Sequence, residues 1–276
     1  MPVVRSGGVD IDYEVVNPGG KGVPVFLITG LGGVRGVWGL QLEDFSRNRP
    51  LVLHDHRGTG KSAKPRGAYS VRLMAQDVAA IMDALKMPKA HFVGSSTGGA
   101  INQVLCIDHP GRVQTASIVS SWPRSDAFFL RQFTMRKRVL LEMGWEAYTR
   151  LSAVTLHSPR YFTDHFGEIE KKENEQIRNA PPAEVMAERI DCIIAHDEWD
   201  RLGRIRAPVL VLVARDDVTT PPYYSEQLAR LIPGAQLRVF EDGGHFVYIA
   251  RPKEFNATVL DFIRRNEPPL GAGGGS

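Results

Sequence analysis

The sequence predicts an α/β protein: a mostly parallel eight-stranded sheet flanked by helices, with an all-helical segment inserted after the sixth strand. Three observations carry this prediction. Short apolar runs alternate with stretches of helical periodicity up to Val119 and again from Val209, as expected for strands buried on both faces and joined by helical crossovers. Between Trp122 and about Asp200 that alternation stops, and roughly 80 residues without a strand-like run exceed what a crossover needs. Finally, Val93-Gly94-Ser95-Ser96-Thr97-Gly98-Gly99 puts a serine between glycines where an apolar run meets a helix-like segment.

Taken in order, Pro2 to Arg5 and the alternating Val9 to Val16 read as a hairpin at one sheet edge, where antiparallel pairing tolerates water on one face. Val25 to Ile28 is continuously apolar and is predicted to be a central strand. The loop Thr29-Gly30-Leu31-Gly32-Gly33 follows, then a helical stretch with Trp38, Leu40, Leu42 and Phe45, and the strand Leu51 to Leu53. Ser70 is a fitting N-cap for a helix from Val71 to Met87 with a stripe of Met74, Val78, Ile81, Met82 and Leu85. The strand His91 to Val93, a helix from about Gly98 to Asp108 and the strand Thr115 to Val119 complete the first half.

In the insertion, one helix is expected to carry Phe128, Phe129, Phe133, Val139, Leu140 and Leu141, the next Trp145, Tyr148, Leu151 and Val154, and a later one Ile190, Ile193 and Ile194. Polar Glu168 to Glu175 and Pro181-Pro182 are read as interruptions. The strand Val209 to Val213, a helix near Tyr224 to Leu231, the strand Gln236 to Phe240, the loop Glu241-Asp242-Gly243-Gly244-His245 and a helix from Pro252 to Arg265 close the fold.

Bulk properties narrow the function. A chain of 276 residues can bury a sizeable core, and 43% hydrophobic with 24% charged residues excludes disordered and membrane classes. The net charge of +3 is spread along the chain without basic runs, which gives no case for nucleic acid. The amino terminus lacks a signal-peptide core, no apolar stretch approaches the roughly 18 residues of a membrane span, and the expected location is cytoplasmic. Cys106 and Cys192 are far apart and without metal-ligand spacing, so two reduced structural thiols are expected.

A serine hydroxyl needs a base to become a nucleophile, and the base needs an orienting group. In G-x-S-x-G the serine occupies a tight strand-to-helix turn, with Gly94 and Gly98 where only small residues fit. Ser96 is therefore the candidate nucleophile, His245 after a strand the candidate base, and Asp217 just beyond another strand the candidate acid. All three fall at carboxyl ends of parallel strands, where open α/β sheets place their sites. Three other patterns fail. Gly58-Thr59-Gly60-Lys61-Ser62 ends like a phosphate loop but has Asp55 where the first glycine belongs, Gly30-Leu31-Gly32 has Arg35 where a dinucleotide fingerprint needs glycine, and His54-Asp55-His56 lacks further metal ligands.

The loop Thr29 to Gly33, the segment Asp55 to Ser62, the serine turn, Ala214-Arg215-Asp216-Asp217 with Thr220-Pro221-Pro222, and Gly244-His245 together resemble the α/β-hydrolase superfamily from about Val9 to Arg265. The resemblance implies a hydrolase core at 1–121 and 201–267, a helical cap at 122–200 and a tail at 268–276 that reads as a linker. It assigns the acid to Asp217, four positions before Pro221, with Asp216 as fallback. It maps the oxyanion-hole donors to the backbone N–H groups of Leu31 and Thr97. Many relatives carry histidine where this chain has Thr29, and the glycine usual three before the acid is Ala214.

The implied reaction is acyl transfer from a small ester, lactone or related acyl compound, without cofactor or metal. The alternatives on the same scaffold are carbon-carbon bond hydrolysis, aminoacrylate or carbamate hydrolysis, perhydrolysis and a non-enzymatic small-ligand receptor. Ser121 to Asp126 with the Leu31-Gly32-Gly33 loop resembles aminoacrylate hydrolases, and the general pattern is equally similar to 3-oxoadipate enol-lactonases and small esterases. Trp122 and Phe246 are the expected substrate-binding residues. The expected partner is a small-molecule substrate, with a homodimer left open and neither nucleic acid nor membrane.

Overall fold

The computed structural model of the chain describes residues 2–67 and 69–267, so the tail read as a linker lies outside the described residues. β1 (Val3–Ser6) and β2 (Val9–Val16) form the antiparallel hairpin, turning at Gly7 and Gly8, both at positive φ. There follow β3 (Val25–Ile28), a 3-10 turn at Arg35–Trp38, α1 (Leu42–Ser46), β4 (Leu51–His54), α2 (Val71–Ala84), β5 (Ala90–Ser95), α3 (Thr97–Asp108) and β6 (Val113–Val119). The insertion contains α4 (Ala127–Leu156), α5 (Pro159–Asp164), α6 (Phe166–Arg178) and α7 (Ala183–Ile194). The chain closes with β7 (Val209–Ala214), α8 (Pro222–Leu231), β8 (Gln236–Phe240), α9 (Val247–Ala250) and α10 (Pro252–Arg265).

The eight strands lie in the order β1-β2-β4-β3-β5-β6-β7-β8. All pairs from β4 to β8 are parallel, and β2 runs antiparallel to both neighbours. Apolar side chains alternate between two cores. Phe26, Ile28, Phe92, Ile118 and Val211 pack with α2 and α3 on one face, while Val25, Leu27, Val93, Val119 and Leu212 pack with Trp38, Phe255, Val259 and Phe262 on the other. Burial on both sides is why these strands read as continuous apolar runs. The parallel arrangement also brings the carboxyl ends of β3 to β8 to one edge, where the candidate residues emerge.

Several expectations are refined. The helix predicted over Val71 to Met87 is capped by Ser70, whose Oγ accepts from the Leu73 N–H at 3.0 Å, but it ends at Ala84, before Lys86 at positive φ. The helical stretch after β3 is two short pieces. In the insertion, Phe129, Phe133 and Leu140 are buried, whereas Phe128 and Leu141 are 46% and 51% exposed, because neighbours on a helix point about 100° apart and cannot share one face. The break before Trp145 falls at Gly144, with φ of 82°. Glu168 to Glu175 do not interrupt helix: they lie within α6, whose buried positions are Ile169 and Glu173, the latter paired with Arg150 at 3.4 Å. Among the described residues no helix is long and apolar enough to cross a membrane. Cys106 and Cys192 are free and buried, as expected, and burial raises their thiols to about 12 and about 11.

Four buried histidines make stability sensitive to acid. Burial lowers His54 and His91 to about 4 and His196 to about 3, and it holds His56 well below its usual 6.5. Each gives up its proton on folding, so below about 6.5 the unfolded chain binds more protons than the folded one. The stability is intact above that value and is lost as pH falls toward 4, by up to roughly 3 kcal/mol for each of His54, His91 and His196, with His56 acting in the same direction. Thermal melts followed by circular dichroism are expected to show a melting temperature that drops steadily between pH 6.5 and 4, with acid unfolding before pH 4. A flat profile over that range would refute the buried, neutral histidines.

Candidate active site

β5 runs through Ser95 and hands directly to α3, leaving Ser96 alone at the junction with φ of 57° and ψ of −115°. L-residues rarely adopt this conformation, and it costs on the order of 1–3 kcal/mol. Its neighbours enforce it. A methyl group on Gly94 would overlap the Gly98 carbonyl, and one on Gly98 would overlap the Ile28 carbonyl. The Ser96 N–H donates to Val119 O at 2.8 Å, and Ser121 Oγ donates to Ser96 O at 2.9 Å, so β6 pins the turn from its far side.

After β7, Asp217 is 2% exposed and tightly held. Its Oδ1 accepts the N–H groups of Thr219 and Thr220 at 2.9 Å each, and its Oδ2 accepts the Thr220 hydroxyl at 2.9 Å. His245, also 2% exposed, places Nδ1 at 2.9 Å from Asp217 Oδ2. An ionised carboxylate only accepts, so this bond assigns the proton to Nδ1 and leaves Nε2 as the basic nitrogen. Gly243 and Gly244, at φ of 131° and 62°, allow the turn that delivers the ring. Asp216 is not a second acid for the imidazole: its Oδ1 accepts the Gly244 N–H at 2.9 Å and steadies the histidine loop.

The structure thus joins Asp217 to His245 and puts Ser96 on the same sheet edge. Among the described residues no hydrogen bond connects Ser96 Oγ with the imidazole, and such bonds often tighten only when substrate is bound. The Thr29 to Gly33 loop borders the nucleophile, since a methyl group on Gly30 would stand 3.2 Å from Ser96 Cβ. Neither the Leu31 nor the Thr97 N–H has an acceptor among the described residues. Two free donors near a hydroxyl at a helix N-terminus can hold a developing oxyanion. Thr29 donates its hydroxyl to Gly33 O at 3.2 Å and closes the loop on itself.

The insertion touches all three loops. Met186 packs on Gly32, Thr219 Oγ1 donates to Thr155 O at 2.8 Å, and the backbone at His157 and Ser158 lies against Gly244. Phe246 is half-buried, 5.2 Å from the His157 ring and 5.9 Å from the His245 ring. Trp122 is fully buried, stacked on Phe129 at 4.5 Å and edge-on to His196 at 5.6 Å. A surface crevice of about 300 Å³ between Met82 and Arg112 borders the amino ends of β5 and β6, the opposite edge from Ser96.

The Asp55 to Ser62 segment, rejected as a phosphate loop, is closed by its own contacts. Asp55 Oδ2 accepts the Lys61 N–H at 2.9 Å, Ser62 Oγ donates to Asp55 O at 2.6 Å, and Gly60 leaves room for the Asp55 carboxylate. This loop is filled by its own side chains. Among the described residues no group of three His, Cys, Asp or Glu could hold a metal. Sequence reading missed the Thr219–Thr220 cradle, and it missed Arg189, a fully buried arginine of α7. The available signal was spacing: Met186, Arg189, Ile190 and Ile193 fall on one helical face.

Residues 23–252 match the profile of the alpha/beta hydrolase fold. A protein named "Putative carbamate hydrolase RutD" from Azorhizobium caulinodans is 36% identical over 95% of this chain and 98% of its own length. A protein of the same name from Caulobacter segnis is 35% identical over 94% and 99%. Among solved structures, Est816, titled an N-acyl homoserine lactone degrading enzyme, is 32% identical with a TM-score of 0.82, covering 95% of this chain and 100% of that one. The enol-lactonase of Burkholderia xenovorans LB400 has a TM-score of 0.89 at 23% identity, with 95% and 100% covered, a likeness of fold.

Proposed function

The chain belongs to the alpha/beta hydrolase family, and from that premise we propose that it hydrolyses a small acyl compound through a covalent acyl-enzyme on Ser96. The observation that carries the proposal is the Asp217–His245 bond of 2.9 Å at the sheet edge that also presents Ser96 in a strained turn. His245 Nε2 takes the Ser96 proton as Oγ attacks the carbonyl carbon. Asp217 orients the ring and stabilises its cation, and the N–H groups of Leu31 and Thr97 hold the oxyanion. His245 then protonates the leaving group, and water, deprotonated by the same nitrogen, releases the acid.

The helical insertion acts as a cap in this reading, because it contacts the Gly32 loop, the Thr219 loop after Asp217 and the Gly244 loop before His245, and encloses the substrate against Phe246. Trp122 is fully buried and packs between Phe129 and His196. The substrate is a small ester, lactone or carbamate. The names borne by the relatives at 35% and 36% identity favour the carbamate, and that of Est816 favours the lactone.

A fluorophosphonate is expected to label one residue, Ser96, as read by peptide mass spectrometry. A panel of short p-nitrophenyl esters, lactones and a carbamate is expected to show turnover that disappears on labelling. Labelling elsewhere, or activity that survives full labelling, would refute the acyl-enzyme. Turnover of no panel member, with a ligand-driven rise in melting temperature, would replace the hydrolase reading with a binding protein.

A further inference from the structure

Arg189 is a buried cation with an unusual set of partners. It sits on α7 with no exposed surface. Its Nε donates to Leu31 O at 3.1 Å, Nη2 donates to the same oxygen, and Nη1 donates to Arg57 O. Among the described residues no carboxylate pairs with it. Burial lowers the guanidinium to about 10, so it stays charged at neutral pH. A buried charge without a counterion is costly, and an apolar side chain is ordinarily the cheaper way to fill such a place. The group is therefore better explained by what it holds than by the stability it adds.

What it holds is the loop beside the nucleophile. Thr29 O is fixed from the core, at 2.9 Å from His56 Nε2, and Leu31 O is fixed from the insertion by two guanidinium hydrogen bonds. The peptide that carries the Leu31 N–H lies between these two anchors. With the carbonyls on both sides immobilised, that N–H has little freedom to turn. Only one of the two anchors belongs to the core.

We propose that Arg189 is a positioning residue that sets the Leu31 N–H as an oxyanion donor and makes that donor depend on the seating of the inserted helix α7. The proposal rests on the acyl-enzyme reading above. Arg189 touches no substrate. It acts through the Leu31 carbonyl, so its loss weakens binding of the tetrahedral oxyanion more than binding of the substrate ground state.

The test compares Arg189→Gln and Arg189→Lys with the native chain, using p-nitrophenyl acetate turnover and inhibition by a trifluoromethyl ketone, whose hemiketal places an oxyanion where the tetrahedral intermediate would. Cys192→Ala, which loosens the packing of α7 and leaves the clamp, is the packing control. All assays run at 15 °C on protein shown to be folded by circular dichroism. Arg189→Gln is expected to lose about 100- to 300-fold in kcat, at the lower end of the range for a lost oxyanion donor. KM should stay within about three-fold, and ketone affinity should fall in step with kcat/KM. Arg189→Lys keeps the charge and reaches a single carbonyl, so it should fold where glutamine does not and retain part of the rate.

The clamp is overturned if a folded Arg189 variant keeps native kcat, if the loss appears in KM with ketone binding unchanged, or if Cys192→Ala loses as much rate as Arg189→Lys. Ser96→Ala separates the two levels. An active Ser96→Ala protein refutes the acyl-enzyme and the clamp's premise with it. An inactive one beside a fully active Arg189→Gln refutes the clamp alone.

Discussion

Replacing Ser96 with alanine is expected to lower kcat by about ten-thousand-fold to a million-fold, the scale seen when a nucleophile acting as one unit with its base is removed. The fold should survive, because among the described residues no hydrogen bond ties the side chain to the core, and the turn is fixed through its backbone by Val119 and Ser121. A glycine at the same position should be equally inactive but more stable than the alanine variant, by about 1 kcal/mol, since glycine relieves part of the strain at φ of 57°. For a chain of this size that is a rise of roughly 2–4 °C. Urea denaturation and esterase assays on the two variants check both halves. Equal stability would mean that the turn stores no strain, and residual activity near the native level would remove Ser96 from the mechanism.

Substituting alanine for Gly98 is the second large effect, and it acts on folding. The added methyl would overlap the carbonyls of Ile28 and Thr29, which are backbone and cannot swing aside. Overpacking commonly costs 1–3 kcal/mol where side chains can adjust, and here the loss should exceed about 3 kcal/mol or leave the protein insoluble. Gly144→Ala is the internal comparison. A methyl there meets nothing within 4 Å, so the cost is limited to the backbone strain at φ of 82° and ψ of −175°, about 1–3 kcal/mol. Chemical denaturation of the two variants should rank them in that order, and a mild Gly98→Ala would show that α3 can slide away from β3.

The parts of the molecule governed by local chemistry were legible in the sequence. Buried strands announce themselves as unbroken apolar runs, Ser70 marks a helix start, and the glycines around Ser96 record a steric constraint that only two backbones in contact could impose. Asp217 was read from its place just beyond a strand end and assigned as the acid by the family resemblance, and the structure adds the reason it holds position, the Thr219 and Thr220 donors. The insertion was less legible. Glu168 to Glu175 look like a break because a helix lying on a surface needs few apolar residues, and α6 buries only Ile169 and Glu173. Phe128 looks like core because aromatics usually are, yet Phe129 takes the inward place. Arg189 betrays its burial only by sharing a helical face with Met186, Ile190 and Ile193, and its role was hidden because its partners are carbonyl oxygens, which no residue type in the sequence signals.

The pairing of β6 with β7, Ala116 opposite Val209, orders events in time. That contact closes a loop of roughly 90 residues, and loops of such length make folding slow and late at the point of closure. Synthesis proceeds from the amino end, so β1 to β6 with the serine turn emerge well before β7 and β8 deliver Asp217 and His245. A nascent chain therefore carries its nucleophile without a base until the carboxyl-terminal strands dock. In refolding from urea, recovery of hydrolysis should trail recovery of helical signal, with the lag set by how quickly the insertion lets the two halves of the sheet meet.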